Sequence, residues 1–361
     1  MLIDIIAGAR PNFMKIAPII HAIQKAEASG SRLKYRLVHT GQHYDKKMSG
    51  DFFEQLNIPH PDVNLESGSG TQAEQTAKIM VRYEALLLEK PCDLTLVVGD
   101  VTSTMACSIA AKKLNIKVAH VEAGIRSFDL SMPEEINRMV TDSITDYFFT
   151  TSERANSNLK KAGVEDERIF FVGNTMIDTL LKNRSRFMKP EVWDRLKIKD
   201  SSYIVMTLHR PANVDEEHKL KGLIKEIVDH SQGMPLVFPI HPRTAKVFEN
   251  LGIKHDNLYL IEPLPYLEFN FLVERAKAVI TDSGGITEET TVMGVPCMTL
   301  RDNTERPETC ELGTNELLGT NPKSIGPAMA KLFSGGWKKG EIPKLWDGKT
   351  AERIIECLNK L

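Results

Sequence analysis

One pattern constrains this chain more than any other, and it runs twice. In the first half, short apolar runs alternate with longer amphipathic stretches. The runs are Leu2–Ala7, Tyr35–Thr40, Leu94–Val98, Lys117–Val121, Tyr147–Thr150 and Ile169–Val172. Most are rich in Val, Ile and Leu on both faces, which suits parallel strands covered on both sides. Helical stretches lie between them at Met14–Ala28, Gln72–Leu88, Thr104–Leu114 and Arg154–Ala162. After residue 200 the alternation restarts, with strands expected at Tyr203–Thr207, Leu236–Pro239, Leu258–Ile261, Ala278–Thr281 and Cys297–Leu300. Helices are expected at Glu216–His230, Tyr266–Arg275 and Ile286–Met293. Strand–helix repetition of this kind predicts α/β domains built on parallel sheets. The length of 361 residues fits two of them, at about 150 residues each. The boundary is expected near Gly173–Thr175, before the cation-rich stretch Lys182–Asp200. An amphipathic helix, Ala351–Leu361, closes the chain.

Composition narrows the function classes. A net charge of −2 excludes a broadly basic nucleic-acid binder. With 42% hydrophobic residues the chain is not disordered. The five cysteines are odd in number and have no metal-ligand spacing, so they read as reduced thiols. Met1–Ala7 has no cationic leader, and no apolar run approaches the roughly 20 residues of a membrane span. The expectation is a cytoplasmic protein with neither a nucleic-acid nor a membrane partner.

In open parallel sheets, ligands bind beyond the carboxyl ends of the strands. The first strand is followed by Gly8-Ala9-Arg10-Pro11, with Lys15 on the next helix. Arg10 and Lys15 are candidate anion ligands at a helix start. A later strand runs into Asp282-Ser283-Gly284-Gly285, where the glycines let backbone amides approach an oxyanion. Glu289, one turn on, is a candidate ribose contact. His209-Arg210-Pro211 and His241-Pro242-Arg243 follow two other strands of that half, and Arg306 adds a cation.

The first half supplies acids: Asp100 in Val98-Gly99-Asp100, Glu122 in His120-Val121-Glu122-Ala123-Gly124, and Glu134 in Pro133-Glu134-Glu135. Each has a purely local alternative. Asp100 could cap the following helix. Ser131 and Glu134 match a capping box, and Glu134 could pair with Arg138 one turn away. Glu122 has no obvious local partner. Three acids facing a cationic phosphate cradle suit acid/base chemistry. The segment Gly68-Ser69-Gly70-Thr71 fits a dinucleotide loop only loosely. No Walker A, Gly-x-Ser-x-Gly, His-Glu-x-x-His or Asp-x-Asp sequence is present.

Taken in order along nearly the whole chain, these motifs resemble the non-hydrolysing UDP-N-acetylglucosamine 2-epimerases. The pieces are Gly8-Ala9-Arg10-Pro11 with Lys15, Gly99-Asp100, His120-Val121-Glu122-Ala123-Gly124, Pro133-Glu134-Glu135 with Asn137-Arg138, Gly173-Asn174-Thr175, His209-Arg210, Asp282-Ser283-Gly284-Gly285 with Glu288-Glu289, and Arg301-Asp302 with Glu305-Arg306-Pro307-Glu308.

The resemblance implies a glycosyltransferase-B-type fold of two Rossmann-like domains with the active site in the cleft between them. The first domain would be 1–174 plus a returning helix, 347–361, and the second 175–346. It implies a homodimer that inverts C2 of a UDP-sugar substrate, UDP-GlcNAc to UDP-ManNAc, without NAD, metal or other cofactor. Asp100, Glu122, Glu134 and His209 would be catalytic. Arg10, Lys15, Arg138, His241, Phe269, Ser283, Gly284, Gly285, Glu289 and Arg306 would bind substrate, with Pro263–Phe269 lining the uracil pocket. Some members bind a second, regulatory substrate near the positions of Gln42-His43, but Tyr44-Asp45-Lys46 depart from that pattern. Pro211-Ala212 and Asn12-Phe13-Met14 also depart from many bacterial members. These changes leave room for a diacetamido uronic acid or 6-deoxy sugar. A hydrolysing epimerase, a glycosyltransferase of the same fold and a non-enzymatic nucleotide-sugar sensor are the remaining alternatives.

Overall fold

The computed structural model describes residues 1–41, 54–240 and 242–361. The chain divides into two compact units, Met1–Lys182 with Lys344–Leu361, and Asn183–Pro343.

The first unit holds a seven-stranded sheet. Its strands are β1 (Leu2–Ala7), β2 (Lys34–His39), β3 (Val63–Asn64), β4 (Leu94–Val98), β5 (Lys117–Val121), β6 (Tyr147–Thr150) and β7 (Ile169–Phe171). The order is β3-β2-β1-β4-β5-β6-β7, and every pairing is parallel. The crossovers are α1 (Arg10–Ala28), α2 (Gln72–Glu89), α3 (Thr102–Lys113), α4 (Pro133–Ile144) and α5 (Glu153–Lys161). The helix α2 shows how sequence sets such an element. Thr71 and Glu74 form a reciprocal capping box at its start, and Gln75, Ile79, Tyr83 and Leu87 recur every fourth residue as its buried stripe. The Gly68–Thr71 segment is therefore a helix entry, not a dinucleotide loop.

The helix α6 (Thr175–Asn183) is fastened to the first unit, so the chain divides after residue 182 rather than near 174. Thr179 donates to the Met14 carbonyl at 2.5 Å. The Asp178 carboxylate accepts the amides of Thr350 and Ala351 at 3.1 and 2.7 Å, capping the terminal helix Thr350–Leu358. Ala351, Ile354, Ile355 and Leu358 are the buried stripe of that helix.

The second unit repeats the plan with α7 (Glu191–Arg195), β8 (Ile204–Thr207), α8 (Pro211–Val214), α9 (Glu217–His230), β9 (Leu236–Pro239), α10 (Pro242–Leu251), β10 (Leu258–Ile261), α11 (Tyr266–Arg275), β11 (Ala278–Thr281), α12 (Gly284–Met293), β12 (Cys297–Thr299), α13 (Pro307–Glu311), β13 (Asn315–Leu317) and α14 (Ile325–Phe333). The sheet order is β10-β9-β8-β11-β12-β13, again all parallel. Each sheet reverses direction once, between β1 and β4 and between β8 and β11. Loops leave a crevice at such switch points, and ligands bind there. Among the described residues no helix is long and apolar enough to cross a membrane.

Candidate active site

In the first unit, the switch-point loops are locked together before any ligand arrives. The Asn12 Oδ1 accepts the amides of Gly8 and Ala9, each at 3.0 Å, while its Nδ2 donates to the Val98 carbonyl at 3.2 Å. One side chain thus ties the end of β1 to the end of β4. Three residues on, Lys15 is buried and its Nζ lies 2.7 Å from Glu122 Oε2. Glu122 itself is buried and has φ of +71°. A left-handed, non-glycine residue is strained, and such strain clusters where geometry serves function. The amides of Glu122 and Ala123 both donate to the Phe149 carbonyl, holding that conformation. Gly99 also sits in the left-handed region, at φ +66°. A Cβ there would fall 2.8 Å from Lys15 Nζ, so the site needs glycine for two reasons.

Asp100 follows Gly99. It does not cap α3, whose N-cap is Val101. Its carboxylate instead receives Arg138 Nη1 at 2.5 Å, and its carbonyl receives Asn137 Nδ2 at 2.8 Å. Arg138 is buried and also grips Glu135 Oε2 at 2.8 Å. Glu135 in turn accepts the amides of Ser127 and Phe128 at 3.0 Å each. Burial pushes the Glu135 carboxyl up, but these donors and Arg138 outweigh it and hold the group below its ordinary range. Arg138 is therefore committed to Asp100 and Glu135. The local alternatives for Glu134 do not form either. Ser131 bonds Asp129, the N-cap of α4 is Met132, and Glu134 stands exposed in the first helical turn.

The second unit is organised by one buried acid, Asp282. Its oxygens accept the amides of His209 (3.1 Å) and Arg210 (2.9 Å) and the Asn213 Nδ2 (3.1 Å). Its Oδ1 also lies 2.8 Å from His209 Nδ1. Burial pushes Asp282 up, and the contacts with His209, Arg210 and Asn213 bring it below its ordinary value. An ionised Asp282 makes Nδ1 the donor and leaves Nε2 of the half-exposed imidazole to act outward. Beside it, Ser283 caps α12 without a side-chain cap bond, and the first turn of α12 contains no acid. The amides of Gly284 and Gly285 have no intrahelical partner, so they present an anion site with the favourable end of the helix dipole. Gly284 also covers a buried ion pair. A Cβ there would lie 2.8 Å from Glu305 Oε1, and Glu305 Oε2 takes Arg301 Nη2 at 2.7 Å.

Other expected ligands occupy more enclosed positions. Arg306 is buried and its Nε is bonded to Glu288. Glu289 is buried and accepts the Tyr266 hydroxyl at 2.9 Å. Burial raises its carboxyl to about 7, with Tyr266 lowering it and Glu288 raising it further. Phe269 is half-buried on α11, against the core that contains Leu272 and Val273. His241, Gln42-His43 and Tyr44-Asp45-Lys46 lie outside the described residues, as does the side chain of Arg10.

The profile of the family described as UDP-N-acetylglucosamine 2-epimerase matches residues 25–359. The chain belongs to that family. It is 41% identical to the UDP-N-acetylglucosamine 2-epimerase of Methanocaldococcus jannaschii over 99% of both chains. A crystal structure of the Methanocaldococcus jannaschii UDP-GlcNAc 2-epimerase in complex with UDP-GlcNAc and UDP covers 100% of both chains with a TM-score of 0.90. A Neisseria meningitidis UDP-GlcNAc 2-epimerase bound to UDP-GlcNAc is 30% identical, also with a TM-score of 0.90 and 100% of both chains covered. The chain is 38% identical over its full length to the UDP-2,3-diacetamido-2,3-dideoxy-D-glucuronate 2-epimerase of Pseudomonas aeruginosa, which is likewise covered in full.

Sequence reading found the motifs but missed the residues that hold them. Asn12, Glu135, Asp142 and the organising role of Asp282 were not singled out. Asp282 carried the one available signal, an acid at the end of an apolar strand immediately before a Gly-Gly helix start.

Proposed function

We propose that this family member inverts C2 of a UDP-N-acetylhexosamine, UDP-GlcNAc to UDP-ManNAc, by eliminating and re-adding UDP. The observation that carries this is the pair of acids on adjacent strand ends, Asp100 held by Arg138 and Glu122 held by Lys15. The C2 hydrogen of the sugar is not acidic, because no carbonyl is conjugated with it. Departure of UDP from C1 builds positive charge there and makes the C2 proton removable. The C2–H electrons then form the C1=C2 bond of 2-acetamidoglucal, and UDP carries away the C1–O electrons. Re-addition, with a proton delivered to the opposite face, inverts C2. The net step is redox-neutral.

In this reading Asp100, Glu122 and Glu134 exchange the protons. Arg10, His209 Nε2, Ser283 and the amides of Gly284 and Gly285 hold the departing diphosphate. Lys15 orients Glu122 rather than serving as a free phosphate ligand. Arg138 does the same for Asp100. Glu289 takes the ribose, Phe269 the uracil, and Arg306 and His241 are further candidate nucleotide ligands.

The test is proton NMR of the protein with UDP-GlcNAc in deuterium oxide. Growth of a UDP-ManNAc anomeric signal with deuterium at C2 supports the reading. Free ManNAc and UDP place the chain with the hydrolysing epimerases, and no change removes UDP-GlcNAc as substrate. A second substrate, a UDP-diacetamido-hexuronic acid, is favoured by the Pseudomonas aeruginosa relative, and a parallel assay with it decides between the two. A homodimer is proposed as the working assembly, with size-exclusion light scattering as its check.

A further inference from the structure

A buried histidine beneath the acids has no role in the scheme above. His120 lies on β5, is fully enclosed, and has both ring nitrogens engaged. Its Nδ1 is 2.7 Å from Asp142 Oδ1, and its Nε2 is 2.8 Å from the Gly99 carbonyl oxygen. A carbonyl oxygen only accepts, so Nε2 must carry a hydrogen. The other oxygen of Asp142 takes the Gly124 amide at 3.0 Å and Arg126 Nη1 at 2.6 Å. Burial pushes Asp142 up, yet His120 and Arg126 hold it below the ordinary carboxylate range. An ionised Asp142 also only accepts, so Nδ1 must carry the second hydrogen.

We propose that His120 is a doubly protonated, cationic clamp that positions Asp100 and Glu122. The Gly99 turn is held to β5 at both ends, its amide donating to the Val121 carbonyl at 3.0 Å and its carbonyl accepting from His120. Asp100 is the next residue after that turn. Glu122 is two residues after His120 on the same strand, and its partner Lys15 packs against Gly99. Three packed elements contribute the charged groups around the ring. Asp142 comes from α4, Arg126 from the loop before it, and the Lys15–Glu122 pair lies across the Gly99 turn. Loss of the imidazolium would release the turn and misplace both acids together. A positioning role of this kind rests on the reading of Asp100 and Glu122 as the working acids.

The experiment has two arms on the full chain. Ring-nitrogen NMR of ¹⁵N-histidine protein, followed from pH 6 to 9, assigns His120 by the signals lost in His120→Phe or, if that variant does not fold, in His120→Gln. Both ring nitrogens are expected to carry a hydrogen in the folded protein at pH 7, as their two acceptors require, and a ring nitrogen without one there overturns the clamp. In the kinetic arm, His120→Phe is expected to lower kcat about 100-fold, a loss of the size seen when reacting groups are misplaced by about 1 Å. UDP affinity, which the second unit sets, is expected to stay within about twofold, and His120→Gln, which keeps a donor toward Gly99, to recover part of the rate. A kcat within about threefold of wild type in both variants overturns the positioning role. Wild-type protein that leaves UDP-GlcNAc unchanged defeats the epimerase reading, and the NMR arm still decides the charge state.

Discussion

The two sheets share a strand order, to which the first adds a seventh strand, and they present opposite chemistry beyond their strand ends. Beyond β4 and β5 of the first unit, cations are spent holding carboxylates, Lys15 on the buried Glu122 and Arg138 on the partly exposed Asp100. At the switch point of the second, the carboxylate is hidden and donors are displayed. Asp282 is buried and draws in the backbone of His209 and Arg210, leaving His209 Nε2 and the amides of α12 to face outward. In the proposed function, the strand-end loops of one unit serve proton transfer and those of the other serve anion binding. The fold determines where a loop ends, and the sign of the buried partner determines what that loop can do.

The contrast is broken most sharply at Glu122. Replacing it with Gln keeps the shape and removes one of the proposed proton-transfer groups. Turnover of UDP-GlcNAc is expected to fall about 1,000-fold, within the usual range for losing a general base, while UDP binding measured by calorimetry stays near wild type. A parallel loss of UDP affinity would mean that Glu122 serves the anion site and that the two regions are not chemically distinct.

Asp282→Asn attacks the other side. It removes the charge that orients His209 and leaves the imidazole in place. Activity is expected to drop about 100-fold through the wrong tautomer and loosened loop. Combining it with His209→Asn should add little, because the two residues act as one unit. Additive losses would separate the histidine from its carboxylate. Gly284→Ala is a smaller perturbation. A methyl group there meets Glu305 Oε1 at 2.8 Å and crowds the first turn of α12. An approximately tenfold loss of UDP affinity is expected, equivalent to about 1.4 kcal/mol, with little change in kcat for bound substrate.

Much of this arrangement was legible in the sequence. Seven of the eleven strands expected from apolar runs have the stated bounds, because fully covered parallel strands leave a continuous Val/Ile/Leu signal. The two strands that were missed, β3 (Val63–Asn64) and β13 (Asn315–Leu317), are short edge strands whose pairing is decided by their neighbours rather than by their own residues. The helix α1 begins at Arg10, four residues before the expected Met14, because Pro11 is favourable in a first turn. The site was legible as a set of motifs but not as a set of bonds. Lys15 and Glu122 are 107 residues apart, and only the adjacency of β1, β4 and β5 brings them together. The left-handed conformation of Glu122 left no mark on the sequence at all, since glycine is the usual signal for it and this position needs a carboxylate.

Glu289 gives the smallest and most direct test of how differently the two units treat their acids. Its carboxyl is raised from an ordinary 4.5 to about 7, first by burial. A raised carboxyl binds its proton more tightly in the folded state. The stability it contributes is therefore fully present below the unfolded value near 4.5 and is lost as pH rises through about 7. Glu289→Gln keeps an acceptor for the Tyr266 hydroxyl and cannot ionise. The variant is expected to unfold at higher denaturant than wild type at pH 8.5, by about 1–3 kcal/mol, and to match it near pH 5. If Glu289 also accepts a ribose hydroxyl, the same variant binds UDP less tightly while it gains stability. Glu122→Gln should show no such stability gain, because the Lys15 partner that Glu122 satisfies would then be left buried without its counter-charge. Equal stability profiles for the two variants would show that the buried acids of both units are held by the same balance of forces, and the contrast between the sheets would then lie in their ligands alone.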